Sequence, residues 1–103
     1  MAIFMLTVWF PLQKGMDVGK LYLKRPREIP FVTKWRAFNT AGGLKGSKQY
    51  HLIYTERGKG EEAWLEVQKY FLPLTNEIEG FKIDMEYLVG VTDSMKALVG
   101  MQW

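Results

Sequence analysis

Ile3-Phe4-Met5-Leu6-Thr7-Val8-Trp9-Phe10 and Tyr50-His51-Leu52-Ile53-Tyr54-Thr55 are the two stretches on which the fold turns. Successive side chains on a strand point to opposite faces, so a half-exposed strand alternates apolar with polar residues. Neither stretch alternates. Both are largely apolar at odd and even positions alike, which is how a strand reads when both faces of its sheet are covered. The two are therefore expected side by side in the middle of a sheet.

The segments around them complete a β-α-β-β-α-β order. Pro11 supplies no ladder donor and stops the first strand. Val18, Leu21 and Tyr22 recur at helical spacing and predict a helix from Gln13 to Leu23, with Gly19 letting it sit close to the sheet. Pro26 and Pro30 bracket a basic connection that cannot continue that helix. Phe31 to Asn39 alternates, with cations Lys34 and Arg36 on one side. It is expected to form a hairpin with Lys48 to Thr55 across the flexible stretch Ala41 to Ser47. From Glu61 onward, Trp64, Val67, Phe71, Leu74 and Ile78 form one apolar helical stripe, in which Pro73 predicts a kink or break near Lys69 and Tyr70. Phe81 to Val89 alternates most strongly and reads as an edge strand. Thr92 is expected to cap a short last helix leaving at Gly100, and Met101, Gln102 and Trp103 form a tail suited to a subunit boundary.

The 103 residues suit one domain, 1–103, burying ~63–65% of the surface of the unfolded chain. Charged residues at 24% and apolar ones at 48% exclude a disordered or fibrous chain, while 15% aromatics is more ring surface than a small core easily hides. Without cysteine there is no disulfide, thiolate metal site or cysteine nucleophile. The apolar start is about half the ~20 residues of a membrane span and has no basic leader or cleavage pattern, so a soluble, cytoplasmic protein without membrane contact is expected. Net charge is +3, with the cations concentrated in residues 1–59 and the acids in 60–103. Such asymmetry steers an anionic partner or pairs two subunits only if folding preserves it.

In the usual winding of this motif the first and third strands are central and the second and fourth lie at the edges. Two helices cover one side of that sheet. The other side must be covered by something else, and a second copy of the chain, with or without a ligand between the copies, is the expected cover. Burying each exposed large apolar side chain is worth about 1.5–3 kcal/mol, a strong drive toward a homodimer or higher assembly.

The element order and two-sided central strands resemble the ferredoxin-like dimeric α+β barrel superfamily. Val18-Gly19-Lys20 and Ile78-Glu79-Gly80-Phe81 look like stretches of its small uncharacterised prokaryotic members. The resemblance implies an α+β fold with a four-stranded antiparallel sheet, helices on one face, a short C-terminal helix and dimerisation through the open face. Members include cofactor-free monooxygenases, haem-handling enzymes, lactone isomerases and proteins of no known activity, so membership implies a cavity and not a reaction.

The candidate chemistry is sparse. His51, the only histidine, is the candidate catalytic residue, able to serve as general base or haem ligand if it faces the cavity, or as a hydrogen-bonded structural residue if it does not. Trp9, Trp35, Asn39, His51 and Tyr54 are the candidate ligand-binding residues, polar groups beside large rings of the kind that hold an aromatic molecule. One histidine and scattered acids do not make a metal site, and no cofactor is expected. RNA binding, possible for this strand order, lacks its rings: Lys45-Gly46 leads to Ser47, Lys48 and Gln49. Gly58-Lys59-Gly60 runs into Glu61 and Glu62, which repel a phosphate. The expected function is binding of a small apolar or aromatic molecule in a cavity at the sheet face. The alternative is a cofactor-independent monooxygenase or isomerase acting on a small aromatic substrate.

Overall fold

Four hydrophobic side chains at alternate positions, Phe4, Leu6, Val8 and Phe10, form the floor of the core, and the rest of the chain is arranged over them. A computed structural model describes residues 2–25, 28–40 and 47–99. The strands are β1 (Ile3–Phe10), β2 (Val32–Asn39), β3 (Ser47–Thr55) and β4 (Lys82–Leu88). The helices are α1 (Gly15–Lys24), α2 (Gly60–Glu77) and α3 (Val91–Val99), with one 3₁₀ turn at Leu12–Lys14. The sheet is antiparallel in the order β2-β3-β1-β4, so the two strands apolar on both faces are the central ones. This is the α+β ferredoxin-like arrangement. The stretch 41–46 and the tail Met101, Gln102 and Trp103 lie outside the described residues.

Register shows what each face carries. Leu6 pairs with His51 and Met85, and Phe4 with Ile53 and Tyr87. On β2, Trp35 pairs with Ile53 and Ala37 with His51, so these residues share the helix-covered face. Val18 of α1 and Ala63, Val67, Tyr70, Phe71 and Leu74 of α2 close that face into one core. The opposite face carries Ile3, Met5, Thr7 and Trp9 of β1 and Lys48, Tyr50, Leu52 and Tyr54 of β3. At its margins stand Lys34, Arg36 and Phe38 on β2 and Lys82, Asp84, Glu86 and Leu88 on β4. None of these belongs to the core cluster.

Some local expectations change. The first helix begins as the 3₁₀ turn and becomes α-helical only at Gly15. Gly19 does not bring α1 close to the sheet: a Cβ placed there meets nothing within 4 Å. Pro73 does not break α2, which runs from Gly60 to Glu77. Proline removes one donor, and the buried Val67, Tyr70, Phe71 and Leu74 anchor the helix on both sides of it. Thr92 is not the cap of α3. The Ser94 N–H donates to the Gly90 carbonyl at 2.9 Å, which puts Gly90 at the cap and Thr92 inside the first turn.

Gly80 has a strict backbone reason. Its φ is 84°, and a Cβ would lie 2.7 Å from Pro11 Cγ. The close turn lets Phe81 stack on Phe10 with ring centroids 6.2 Å apart. Leu6→Ala, at a fully buried position, is expected to lower stability by about 2–5 kcal/mol in urea denaturation at fixed protein concentration. Leu72→Ala, on the exposed side of α2, is expected to change it by less than ~0.5 kcal/mol.

Candidate functional site

The Trp35 indole N–H donates to His51 Nδ1 at 2.8 Å, and from that bond the state of the whole site follows. Indole is a donor only, so Nδ1 must accept and Nε2 must carry the imidazole proton. Nε2 lies 3.1 Å from Gln49 Oε1 and donates to it. The Tyr22 hydroxyl donates to the same oxygen at 3.1 Å, and Gln49 Nε2 donates to Asn39 Oδ1 at 2.9 Å. Two donors meeting on one Gln49 atom fix that atom as the amide oxygen, since an NH₂ there would face donors.

The strand period builds this chain. Gln49 and His51 are two apart on β3, and Trp35 and Asn39 four apart on β2, so all four project to the helix side. Tyr22 comes down from α1. Tyr70 and Phe71 come from α2, with Trp35 edge-on to Tyr70 at 5.2 Å and His51 edge-on to Phe71 at 5.5 Å between ring centroids. The Arg25 guanidinium lies over the Tyr70 ring, 4.4 Å from its centroid.

Burial keeps the site neutral. His51 is 2% exposed, and desolvation of its charged form lowers its pKa to about 4. Burial pushes the Tyr22 hydroxyl up, helped by the neighbouring Tyr70. Tyr70 is raised by burial as well, against the opposing pull of Arg25 through charge and a hydrogen bond. Around neutral pH the site therefore presents a neutral imidazole, two phenols, an indole and two amides, with the Arg25 guanidinium behind Tyr70.

Beside this chain lies a pocket of about 450 Å³, walled by Tyr22, Trp35 and Tyr70, with Asn39, Gln49 and His51 among its lining residues and Gly19 at its α1 side. A wider depression of about 810 Å³ lies beside the start of α2, among Ala2, Phe4, Trp64, Leu65 and Tyr87. Its charged side chains are Glu61 and Glu62, which already suit the positive helix end. Among the described residues, no three His, Asp or Glu side chains gather as a metal site. No helix among them is long and apolar enough to cross a membrane.

Of the five residues expected in one cavity, Trp35, Asn39 and His51 come together here. Trp9 and Tyr54 do not: they stand on the other face of the sheet, beneath Lys48 and Lys34 respectively. The physical reason is the two-residue strand period, which puts Tyr54, three positions from His51, on the opposite side. Trp9 pairs with Lys48 on that same opposite side. Sequence reading missed Gln49, Tyr22 and Tyr70. Gln49 carried a usable signal, because it is polar and two residues from His51.

No family model matches the chain, and no curated protein matches it. A solved structure does. It is an ethyl tert-butyl ether D (EthD) family protein from Bacillus halodurans, similar over 86% of this chain and 100% of that one, with a TM-score of 0.58 and 10% identity. At that identity the likeness is one of fold: a small α+β domain with a four-stranded antiparallel sheet.

The depressed His51 pKa has a stability consequence. The native imidazole takes up its proton near pH 4 and the unfolded one near 6.5, so between those values the unfolded chain binds more protons. Stability is full above about pH 6.5 and falls as pH drops toward 4, by roughly 3 kcal/mol. An NMR titration is expected to show His51 as the Nε2–H tautomer with a midpoint near pH 4. A midpoint in the ordinary range for histidine contradicts the assignment. Trp35→Phe removes the donor to Nδ1 but leaves the imidazole buried, so the midpoint is expected to stay below the ordinary histidine value, with a loss of about 1–3 kcal/mol at neutral pH.

Proposed function

We propose that this chain is a homodimeric α+β barrel protein that binds a small planar aromatic or apolar molecule in the helix-side pocket of each subunit. The observation that carries the ligand reading is the meeting of Tyr22, Trp35 and Tyr70 around a polar strip in a pocket of about 450 Å³. Ring walls supply apolar contact, and the strip supplies a few neutral polar groups for orientation. A charged ligand would find no charged side chain among the pocket-lining residues.

Gly19 supports the same reading. Glycine inside a helix costs about 0.5–1 kcal/mol relative to alanine, and here no close backbone approach requires it. What glycine does provide is an open wall on the α1 side of the pocket. The dimer is supported by the opposite face of the sheet, where Ile3, Met5, Trp9, Tyr50, Leu52 and Tyr54 remain only half-buried within one chain.

The oxygenase or isomerase alternative needs an available base. His51 has none to offer while Trp35 occupies Nδ1 and Nε2 holds the proton, so acid-base work would first have to break the Trp35 bond. Binding is therefore the better supported role.

The test is titration of the purified protein with 1-naphthol, followed by tryptophan fluorescence. Saturable binding, one molecule per chain, is expected. Gly19→Phe is expected to weaken it by about tenfold or more by filling the pocket. Gly19→Ala is expected to leave it intact while stabilising the fold by about 0.5–1 kcal/mol. Absence of saturable binding, or binding indifferent to Gly19→Phe, overturns the assignment of the pocket.

A further inference from the structure

The open face of the sheet carries its charges in an order that selects one way for two copies to meet. Across the strands, Arg36, Leu52, Met5 and Glu86 form a single row in register. One row over, Phe38, Tyr50, Thr7 and Asp84 do the same, and on the other side lie Lys34, Tyr54, Ile3 and Leu88. In these three rows cations thus stand on the β2 margin and acids on the β4 margin, with uncharged side chains between them, while the row of Lys48, Trp9 and Lys82 adds a cation at the β4 end. Lys34, Arg36, Asp84 and Glu86 are all exposed, and the ion pair seen among the described residues, Lys69 with Glu66, involves none of them.

A dyad between two face-to-face sheets can run along the strands or across them. Across them, each edge strand lies over its own copy, cation on cation and acid on acid. Along them, each row faces its own reverse: β2 of one copy covers β4 of the other, β3 covers β1, and Arg36 comes opposite Glu86 of the second copy. Leu52 and Met5 then cover each other in the middle. The twist of packed sheets, about 30°, turns this alignment without exchanging the edges.

We infer that a second copy of this chain docks on the open sheet face with its dyad along the strands, the Lys34 and Arg36 margin of each copy lying over the Asp84 and Glu86 margin of the other. This rests on the dimer reading and adds its geometry. The charges set orientation, because like charges brought together are costly whereas opposite charges at a rim add little affinity of their own. Lys48 fits the arrangement too. It lies 5.6 Å from the Trp9 ring and 4.9 Å from the Tyr50 ring on its own chain, keeping its charge over aromatic faces.

The test is sedimentation at low ionic strength of four full-length chains: wild type, Lys34→Glu with Arg36→Glu, Asp84→Lys with Glu86→Lys, and the chain with all four changes. The wild type is expected to dimerise, each single-margin variant to dimerise at least about tenfold more weakly, and the fourfold variant to recover. An equal mixture of the two single-margin variants is expected to recover as well. Circular dichroism checks that each chain is folded, and the recovery of the fourfold chain guards against loss through misfolding. If the wild type is a dimer and the single-margin variants dimerise as tightly, the orientation is wrong while the dimer stands. Weakening without recovery in the fourfold chain also overturns the orientation. A monomeric wild type removes the dimer reading itself.

Discussion

A four-stranded sheet has two faces, and two packed helices can cover only one of them. Everything distinctive in this chain follows from the way its central strands are apolar on both. Phe4, Leu6, Val8 and Ile53 direct their hydrophobicity to α1 and α2. Met5, Trp9, Tyr50 and Leu52, interleaved with them along the same strands, have no such cover within the chain. Burial is the main favourable term in folding and association alike, so a sheet built this way folds one face and offers the other. The third helix does not change this, since none of its described side chains belongs to the core and Leu98 is 81% exposed.

The folded face is not wholly apolar, and its exception is organised. A buried imidazole is tolerable when both nitrogens are satisfied. Trp35 and Gln49 satisfy those of His51, and the two amides and Tyr22 pass the hydrogen bonding outward to the pocket. Because indole can only donate, the bond from Trp35 ties tautomer, charge and ring orientation together. One substitution on β2 therefore alters the hydrogen bonding of a residue on β3. In the role we propose, the site recognises shape and a few hydrogen bonds in a molecule without charge.

Much of the fold is legible in the residues because two periods dominate it. Alternation in Lys82 to Tyr87 marks an edge strand, and its absence in Ile3 to Phe10 marks a central one. The spacing of Val67, Phe71 and Leu74 marks α2. Pro73 misleads because proline's local cost is small beside the burial of side chains on either side of it. Gly19 misleads differently: a glycine in a helix suggests close packing, but only three-dimensional placement shows the space beside it to be empty.

The site is half legible. Trp35, Asn39 and His51 obey the strand period and do converge. Tyr54 violates that period relative to His51, because an odd separation along one strand always means opposite faces. Trp9 is not assignable from its neighbours, because a strand apolar on both faces carries no mark of which face meets the helices. Tyr22 and Tyr70 come from helices whose rotation over the sheet is set by packing, so their approach to Gln49 and Trp35 depends on the folded chain.

The proposed covering of the open face can be tested directly at Met5, the apolar centre of its middle row. In a mixture of isotope-labelled and unlabelled chains, an isotope-filtered NOE experiment detects only contacts between copies. Cross-peaks from the Met5 methyl to Leu52 of another chain are the expected result. Their absence, together with strong relaxation of that methyl by a soluble paramagnetic probe, would show the face bare to water and contradict the picture of two copies joined across it.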